Sequence, residues 1–502
     1  MVEETTIRQD FWRDLSTEAR RARRLVLTAV MMAIFMTAID SYIVATAMPT
    51  IVADLGGFRL FSWAFAAYLL TQAVSIPVYG RLADLYGRKR VFFAGTSVFL
   101  VGSALCGFAW SMGALILFRA LEGVGAGAVQ PIATTIIGDI YAPVERARMQ
   151  GYISGMFGVA AVIGPTLGAF VVEHVGWPVV FWVNLPIGAV TFLMFGRFLH
   201  ENREPRRRRV DVMGSGLIML GVGAPMLAVV QLGHVNAMTL AGLALAGAVA
   251  LALFVGHERR AAEPMLPAAL WRNRVVAIGC LGGFFNGAVM MALSGFMPTY
   301  VQGAMGLTAT ASGIVLAASS VSWALASFAG GRVMIRTSYR LAATIGGICL
   351  VVGSLMLLAL DPAGSLFWPS LGAFVLGVGM GFCNTAFIVS IQASVGWQER
   401  GMATSATMFM RIVGQSVGAA VFGAVLNLGI ARHLPGHIDI VNRLLAPAAR
   451  EQLGAAEIAR ASAAIAAAVH NVFIVAAFVA VVGLALAIAL PARLSPTRAA
   501  KA

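Results

Sequence analysis

Long apolar runs recur along almost the whole chain, and their length limits what the chain can fold into. From Leu25 to Leu490, stretches of roughly 18 to 25 mostly apolar residues follow one another. A helix of about 20 residues crosses the hydrocarbon core of a bilayer. In lipid, backbone groups must find their hydrogen bonds within a helix or a closed barrel. Because the runs do not alternate in the way that barrel strands do, they predict an all-α polytopic membrane protein.

Fourteen spans are predicted, and the basic residues between them are distributed unevenly. Of the 36 Lys and Arg residues, 29 fall in the two terminal segments and in every second connection, and only 5 fall on the other side. This asymmetry sets membrane orientation, so the net charge of +14 does not indicate a nucleic-acid partner. We expect an integral protein of a bacterial inner membrane with both termini in the cytoplasm. The predicted spans are 25–48, 60–79, 91–110, 113–136, 149–171, 179–199, 213–232, 239–256, 275–301, 309–330, 341–360, 367–391, 403–430 and 466–490.

Two basic linkers, at 200–211 and 257–274, divide the spans into groups of six, two and six. Six plus six is typical of secondary transporters built from repeats. The last connection, 432–465, is long and reads either as an amphipathic surface helix or as a solvated loop. The predicted organisation is a cytoplasmic segment at 1–24, a six-helix bundle at 25–199, a linker region with two extra transmembrane helices at 200–274, a second six-helix bundle at 275–491 and a cytoplasmic tail at 492–502.

The connection "GRLADLYGRKR", residues 80–90, holds more than orientation requires. Gly80 and Gly87 suit helix ends and close backbone approach. Asp84 is predicted near the start of the third span, where a helix N-terminus favours an anion. Arg88 and Lys89 add positive charge, but a connection that only set orientation would need nothing except its cations.

Four stretches together resemble a known family of transporters. "GRLADLYGRKR" is similar to the loop signature of the major facilitator superfamily, and "AIDSYIVATAMPTI" (38–51) resembles the first-span signature of its fourteen-span drug:proton antiporters. "LILFRALEGVGAGA" (115–128) resembles their fourth-span motif, and "GVAAVIGPTLGAF" (158–170) their fifth-span antiporter motif. The resemblance implies the major facilitator fold and multidrug efflux by proton antiport.

The chain departs from these family patterns in three places. Glu122 stands where the family usually has Gln, which adds a carboxylate, and Ala169 replaces the last Gly of the fifth-span motif. Ser41 and Tyr42 follow Asp40 where the group often has Thr two residues after the Asp, a change that bears on substrate choice.

Three ionisable residues lie at predicted membrane depth in the first bundle: Asp40, Arg119 and Glu122. Each costs about 2.5–3.5 kcal/mol to insert and therefore usually has a function. Arg119 and Glu122 are three residues apart, on one face of a helix. The hypothesis is that Asp40 and Glu122 lie in or beside a central cavity, where a proton and a cationic substrate compete for them, with Arg119 tuning their proton affinity. The alternatives are a static Arg119–Glu122 ion pair and a packing hydrogen bond from Asp40 to Ser41, Tyr42 or Thr46.

The fifth-span motif has a direct physical interpretation. Gly158, Gly164 and Gly168 allow close helix contact, and Pro165 bends the helix by removing a backbone hydrogen bond. Such a helix permits rocking of one bundle on the other, although simple packing explains the same residues. Asp84 and Arg88 are expected to latch the bundles together at the cytoplasmic side in one state.

The predicted function is proton-coupled export of small hydrophobic or cationic drugs, with protons as the coupling ion and no other cofactor. An exporter of a lipid, siderophore or metabolite would share every motif above. The four cysteines lie in apolar runs without metal-ligand spacing, the seven histidines form no cluster, and no phosphate-binding loop with Lys-Ser/Thr occurs, which speaks against a metal site, an enzyme and ATP drive. A receptor or scaffold would not explain Asp40 and Glu122. We expect lipid contact, no nucleic acid and action as a monomer; whether a periplasmic adaptor takes part stays open.

Overall fold

The computed structural model describes residues 17–141, 143–199, 211–231, 235–260, 271–395, 400–435, 438–445, 450 and 452–491. Within these ranges the chain is almost entirely helical and has no β-strand. Its mean hydropathy is +0.84 and charged residues make up 12% of it, so most helices are apolar on every side. Helices of that kind are stable in lipid or in a protein core.

The described part of the N-terminal bundle comprises seven α-helices. Its sixth span is broken at Val183 into a short and a long helix, and Gly87, in the left-handed region at φ 88°, separates the second helix from the third. The helices are α1 (Thr17–Leu55), α2 (Phe61–Tyr86), α3 (Arg88–Gly107), α4 (Met112–Ile140), α5 (Pro143–His174), α6 (Pro178–Trp182) and α7 (Asn184–Phe198).

A linker pair of helices and a C-terminal bundle follow. The linker pair is α8 (Val212–Val230) and α9 (Ala237–Glu258). The C-terminal bundle comprises α10 (Arg274–Thr299), which continues as a π-helical turn at Tyr300–Ala304, α11 (Ala309–Arg336), α12 (Tyr339–Met356), α13 (Phe367–Ser394), α14 (Arg400–His433), α15 (Ile438–Leu445) and α16 (Ala455–Ala489).

The predicted all-α membrane architecture is confirmed. In the described residues, 12 helices are long and apolar enough to cross a membrane, and each coincides with a predicted span. The predicted spans 149–171 and 213–232 coincide with shorter apolar segments, Gly158–His174 and Met213–Val229. The first half of α5 is polar in sequence, which shortens its apolar part. The exact number of fourteen crossings remains a prediction.

Two of the connections differ from their predicted form. Residues 80–86 are not a loop, because α2 continues through Gly80 and Asp84 to Tyr86, and Gly87 alone breaks the helix before α3. Asp84 therefore belongs to the last turn of α2 and not to the start of the third span. In the segment 432–465, α15 is a short amphipathic helix with Val441 and Leu444 buried, and α16 begins at Ala455, earlier than predicted.

Helix ends from distant parts of the chain meet at one face of the molecule. The Tyr141 hydroxyl at the end of α4 donates to the Arg23 carbonyl near the start of α1 (3.5 Å). The Lys89 ammonium donates to the Leu199 carbonyl (2.8 Å), and Arg340 Nε donates to the Leu490 carbonyl (2.5 Å). We call this the terminal face, because α1 begins and α16 ends there, and we call the other side the opposite face.

The two bundles are joined by polar contacts at the opposite face. The Glu173 carboxylate at the end of α5 accepts from the backbone N–H (2.9 Å) and the hydroxyl (2.7 Å) of Thr310 at the start of α11. Asn427 Nδ2 donates to the Arg59 carbonyl (2.9 Å). These bonds close the opposite face between the bundles in this structure.

The linker pair packs beside the seam between α2 and α14. The Ser416 hydroxyl of α14 donates to the Ala66 carbonyl of α2 (2.9 Å) and also lies 3.7 Å from the Met226 sulfur of α8. Helix α9 packs mainly on α8 and leaves most of its apolar surface outside, with Met238 and Leu245 well exposed. Such a surface is suited to lipid.

Candidate functional site

One buried arginine joins two buried carboxylates inside the N-terminal bundle. Arg119 Nη1 on α4 lies 2.9 Å from Asp40 Oδ2 on α1 and 2.8 Å from Glu122 Oε2 on α4. Arg119 and Asp40 are each 1% exposed, and Glu122 is 0% exposed. Bonds of this length between charged groups are the stronger class of protein hydrogen bond. We call Asp40, Arg119 and Glu122 the charge cluster.

The remaining oxygen of Asp40 is bound by a polar relay from α7 and α3. Asn184 Nδ2 donates to Asp40 Oδ1 (3.0 Å) and to the Ser103 hydroxyl oxygen (2.9 Å). The Ser103 hydroxyl in turn donates to the Phe181 carbonyl (2.9 Å). The break at Val183 makes this possible, because it places Asn184 at the first position of α7. Asp40 is therefore held from two sides, by a cation and by an amide.

Arg119 is fixed by an aromatic ring and a backbone carbonyl of α2. Its Cζ atom lies 3.9 Å from the centre of the Tyr68 ring, which is cation–π distance. Its Nε donates to the Ala64 carbonyl (3.4 Å). The guanidinium thus contacts α1, α2 and α4, and a change in its position would be felt by all three helices.

Glycines on both sides bring neighbouring backbones against Glu122. A Cβ atom on Gly102 of α3 would lie 2.6 Å from the Glu122 Cα atom, and a Cβ atom on Gly123 would overlap the Tyr68 carbonyl and the Thr71 hydroxyl of α2. Only glycine fits such an approach. The fourth-span motif is therefore also a packing motif that fixes the backbone of Glu122 between α2 and α3.

The charges in the cluster do not balance when both acids are ionised. Two carboxylates then share one guanidinium, which leaves one excess negative charge in a site without water access. Glu122 Oε2 also accepts a hydrogen bond from the Cys106 thiol (3.5 Å), but Glu122 Oε1 is buried and has no hydrogen-bond partner among the described residues. A buried carboxylate oxygen without a partner is unfavourable unless the group takes up a proton.

The structure places these carboxylates differently from the sequence hypothesis in one respect. Asp40 and Glu122 were expected in or beside a central cavity, but both side chains face Arg119 within the N-terminal bundle and are at most 1% exposed. Three helices packed through glycine contacts leave no room there. In this conformation a transported molecule cannot touch either carboxylate. The hydrogen bonds from Asp40 to Ser41, Tyr42 or Thr46, one of the alternatives, are replaced by the contacts with Arg119 and Asn184.

The fifth-span motif lies between α1 and α11, as close packing would require. A Cβ atom on Gly164 would lie 2.6 Å from the Tyr42 Cβ atom, and one on Gly168 would lie 2.6 Å from the Thr46 hydroxyl oxygen. The Pro165 carbonyl faces Gly313 of α11, and Gly158 faces Ala324 of the same helix. The motif thus packs α1 of its own bundle on one side and the other bundle on the other side.

The second-to-third-span motif is separate from the charge cluster. Gly80 has open space where a Cβ would lie, Gly87 adopts a positive φ, and Arg88 is buried at 9% exposure. Lys89 ties α3 to the end of α7 through the Gly196 and Leu199 carbonyls. The Asp84 side chain lies outside the described ones, so the expected Asp84–Arg88 latch stays a prediction.

Sequence reasoning did not identify Tyr68 or Ser103 and treated Asn184 only as one of several polar candidates. Asn184 had a usable signal, since it is a polar residue within an apolar run immediately after a helix break. For Ser103 the sequence offers a weaker signal, its glycine-rich surroundings, and for Tyr68 it offers no signal.

Comparison with known proteins agrees with this architecture. The profile of the Major Facilitator Superfamily matches residues 30–419. The chain is 35% identical over 415 residues to Multidrug resistance protein 3 of Bacillus subtilis, covering 82% of this chain and 81% of that protein. It is 34% identical to Multidrug transporter protein MdtP of the same organism, covering 82% and 77%.

A solved structure shows the same fold at low identity. A bacterial homologue of the human lysosomal transporter Spinster, in an inward-facing and occupied conformation, superposes with a TM-score of 0.67 at 17% identity, covering 95% of this chain and 97% of that one. The predicted fold class is confirmed. On the profile match and the relatives together, the chain is a member of the major facilitator superfamily, and hence a membrane transporter and not an enzyme.

Proposed function

We propose that this transporter exports small hydrophobic or cationic drugs by proton antiport and alternating access. The names of its multidrug relatives support the substrate class. The observation that carries the proton coupling is the charge cluster, with two carboxylates on one guanidinium at full burial. The terminal face is then cytoplasmic, in a bacterial inner membrane, as the distribution of basic residues indicates. One chain supplies both bundles, so the transporting unit is a monomer, and protons are its coupling ion.

The charge cluster can bind one proton, because it has one carboxylate more than its single guanidinium can neutralise. With both acids ionised, the excess negative charge is confined to a dry site, which is expensive. Adding one proton makes the cluster neutral and gives the unpartnered Glu122 Oε1 a hydrogen atom to donate. The two forms differ in which carboxylate Arg119 binds most strongly. A site of this kind binds and releases a proton when its access to water changes.

Binding of a proton at the charge cluster can affect the bundle interface through a movement of α1. Asp40 connects α1 to α4 and α7, and less than two turns further along α1, Thr46 packs against Gly168 of α5. The Thr46 carbonyl also accepts from Gln302 of the other bundle (3.3 Å). A shift of α1 on protonation would therefore bear directly on the contacts that close the opposite face. Substrate and proton then compete through the conformation of the protein and not for one binding surface.

Everted membrane vesicles containing the full chain test this function. Rhodamine 6G, a hydrophobic cation, is added outside, at the face that is cytoplasmic in the cell, and an inside-acid pH gradient is imposed. We expect dye uptake that an uncoupler stops. Asp40→Asn keeps the shape of the side chain but removes the proton site, so its gradient-driven uptake should fall at least tenfold at equal protein level.

A matched control lies on the same helix. Asp54 of α1 is exposed and accepts a hydrogen bond from Trp177 Nε1 (2.7 Å), which an asparagine oxygen can also accept. Asp54→Asn should therefore leave uptake unchanged. Uncoupler-sensitive uptake at the wild-type level in Asp40→Asn would refute the coupling role of the charge cluster.

A further inference from the structure

The C-terminal bundle contains a membrane-depth cation that the proton mechanism does not use. Arg411 lies on α14, and helices α10 to α14 contain no Asp or Glu residue within their bounds. Arg411 Nη1 is 3.4 Å from Asn384 Oδ1, a long bond to a neutral group, and Arg411 Nε is buried without a hydrogen-bond partner in the part of the chain that the structure describes. A guanidinium at this depth without a carboxylate is costly, and such residues usually mark a substrate path.

Arg411 borders a small cavity that also has polar walls. The cavity is about 10 Å³, room for a single water molecule or one ligand oxygen atom. Asn286 of α10 lines the cavity and is 6% exposed, and none of the described residues forms a hydrogen bond with its Oδ1. Asn384 and Thr407 complete the polar lining. The amide of Asn286 can rotate to present its N–H donors, so the cavity is lined by a cation and by hydrogen-bond donors.

The rest of the cavity suits a hydrophobic molecule attached to that oxygen. Phe387 and Met408 form its apolar walls, and a methionine side chain adapts readily to different shapes. Close packing fixes the backbone of Arg411 against α10, since a Cβ on Gly287 would overlap the Arg411 carbonyl oxygen. Tyr42 of α1, in the other bundle, is close enough to Arg411 to interact with it electrostatically.

We propose that Arg411, with Asn286 and Asn384, binds the carboxylate of a transported molecule, so that the substrates include hydrophobic compounds bearing a carboxylate, zwitterions among them. This inference rests on the proposed export function and narrows its substrate class. A guanidinium binds a carboxylate oxygen through a charge-assisted hydrogen bond, which the uncharged carbonyl of an ester cannot match. The amides of Asn286 and Asn384, which also line the cavity, supply further hydrogen bonds to that oxygen.

Two dyes that differ in one group provide the test. Rhodamine 6G is the ethyl ester of rhodamine 19, and the two share one cationic ring system, but only rhodamine 19 has a free carboxylate. Binding of each dye to the purified full chain in detergent is measured by fluorescence polarisation without any proton gradient. We compare wild type with Arg411→Gln, with Asn384→Asp and with Arg432→Gln, an exposed arginine near the end of the same helix.

The informative quantity is the affinity for rhodamine 19, the acid, divided by the affinity for rhodamine 6G, the ester. Arg411→Gln should lower that ratio at least tenfold, equivalent to about 1.4 kcal/mol. Asn384→Asp is isosteric and supplies Arg411 with an internal carboxylate, so it should lower the ratio similarly while leaving the arginine in place. Arg432→Gln should leave the ratio unchanged. Ester binding reports whether each variant is folded. Both cavity variants and the Arg432→Gln control lower the net charge by one, so a change seen only in the cavity variants is local, and agreement between a variant that removes the arginine and one that keeps it removes the dependence on either one.

The proposal is overturned if wild type fails to bind rhodamine 19, or if either cavity variant leaves the ratio at the wild-type value. These outcomes are distinct from failure of the export function. If rhodamine 6G uptake in vesicles stays uncoupler-sensitive while the affinity ratio is the same in wild type and in the cavity variants, proton coupling is supported and the carboxylate site is refuted. If the cavity variants lower the affinity ratio but the uncoupler does not change uptake, the carboxylate site is supported and proton coupling is refuted.

Discussion

Arg119→Met should destabilise the protein strongly, and the loss should be recovered by removing the two acids as well. Methionine follows the first part of the arginine side chain and is apolar, so it can occupy the surroundings beside Tyr68, but it is shorter and cannot pair with a carboxylate. Asp40 and Glu122 would then remain buried at 1% and 0% exposure without their cation. The single variant removes two ion pairs of 2.9 and 2.8 Å and nothing replaces them.

The expected size follows from the burial of all three groups. Removing one partner of a buried ion pair costs about 3–5 kcal/mol, because the remaining charge is left without compensation. Replacing an entire buried ionic group by neutral side chains of similar shape is often neutral or stabilising. The triple variant Asp40→Asn, Arg119→Met, Glu122→Gln should therefore unfold close to wild type, while Arg119→Met alone should be clearly less stable. Its deficit should shrink as pH falls, since protonated carboxyls no longer need a cation.

Unfolding can be followed through the chain's own thiols. Cys106, Cys280 and Cys383 are buried and Cys349 is partly buried, so a thiol-reactive fluorogenic dye reports their exposure on heating. If Arg119→Met unfolds at the wild-type temperature, the cluster is not a charged assembly and the proton argument fails with it. If the triple variant is as unstable as the single one, the loss comes from packing and not from charge.

Three further changes test other parts of the structure. Glu122→Gln leaves the Asp40 contact of Arg119 intact but keeps the cluster permanently in its neutral form, so we expect a folded protein whose uncoupler-sensitive dye uptake in vesicles falls several-fold; uptake at the wild-type level would show that Glu122 does not take up the coupling proton. Gly164→Val places a Cβ atom 2.6 Å from the first helix, which should cost about 1–3 kcal/mol in the thiol unfolding assay, and an unchanged transition would show that the helices move apart freely. Glu173→Gln weakens the charged bond to Thr310 at the opposite face, so a cysteine at the buried position Ser62 should be labelled several-fold faster by a membrane-impermeant reagent, and equal labelling would mean that this bond does not hold the face closed.

The sequence predicted the parts of the site that depend on one helix and missed those that depend on several. Arg119 and Glu122 were assigned to one helical face from their spacing alone, and they do form a 2.8 Å contact. Asp40 was predicted to be functional because of its depth, but its pairing with a residue 79 positions away depends on how α1 and α4 face each other. Tyr68 and Ser103 contact the cluster or its relay only because α2 and α3 present those faces. Helix rotation of this kind leaves no trace in periodicity when a helix is apolar on all sides.

The location of the charge cluster constrains how coupling can operate. Because Asp40, Arg119 and Glu122 lie within one bundle, a proton bound there cannot act by touching a substrate or the second bundle. It must act through a helix that contacts both, and α1 does, since it holds Asp40 at the cluster and offers the Thr46 carbonyl to Gln302 of the other bundle. A substitution that loosens Thr46 from Gln302 should then change how readily the opposite face opens without changing proton uptake by the cluster. Gln302→Leu should accordingly uncouple opening of the opposite face from the protonation state of the charge cluster. Proton release on dye binding should fall, while the unfolding temperature and its pH dependence stay close to wild type. If proton release persists at the wild-type level, the signal travels by another route, and α5, which packs α1 on one side and α11 on the other, becomes the element to test.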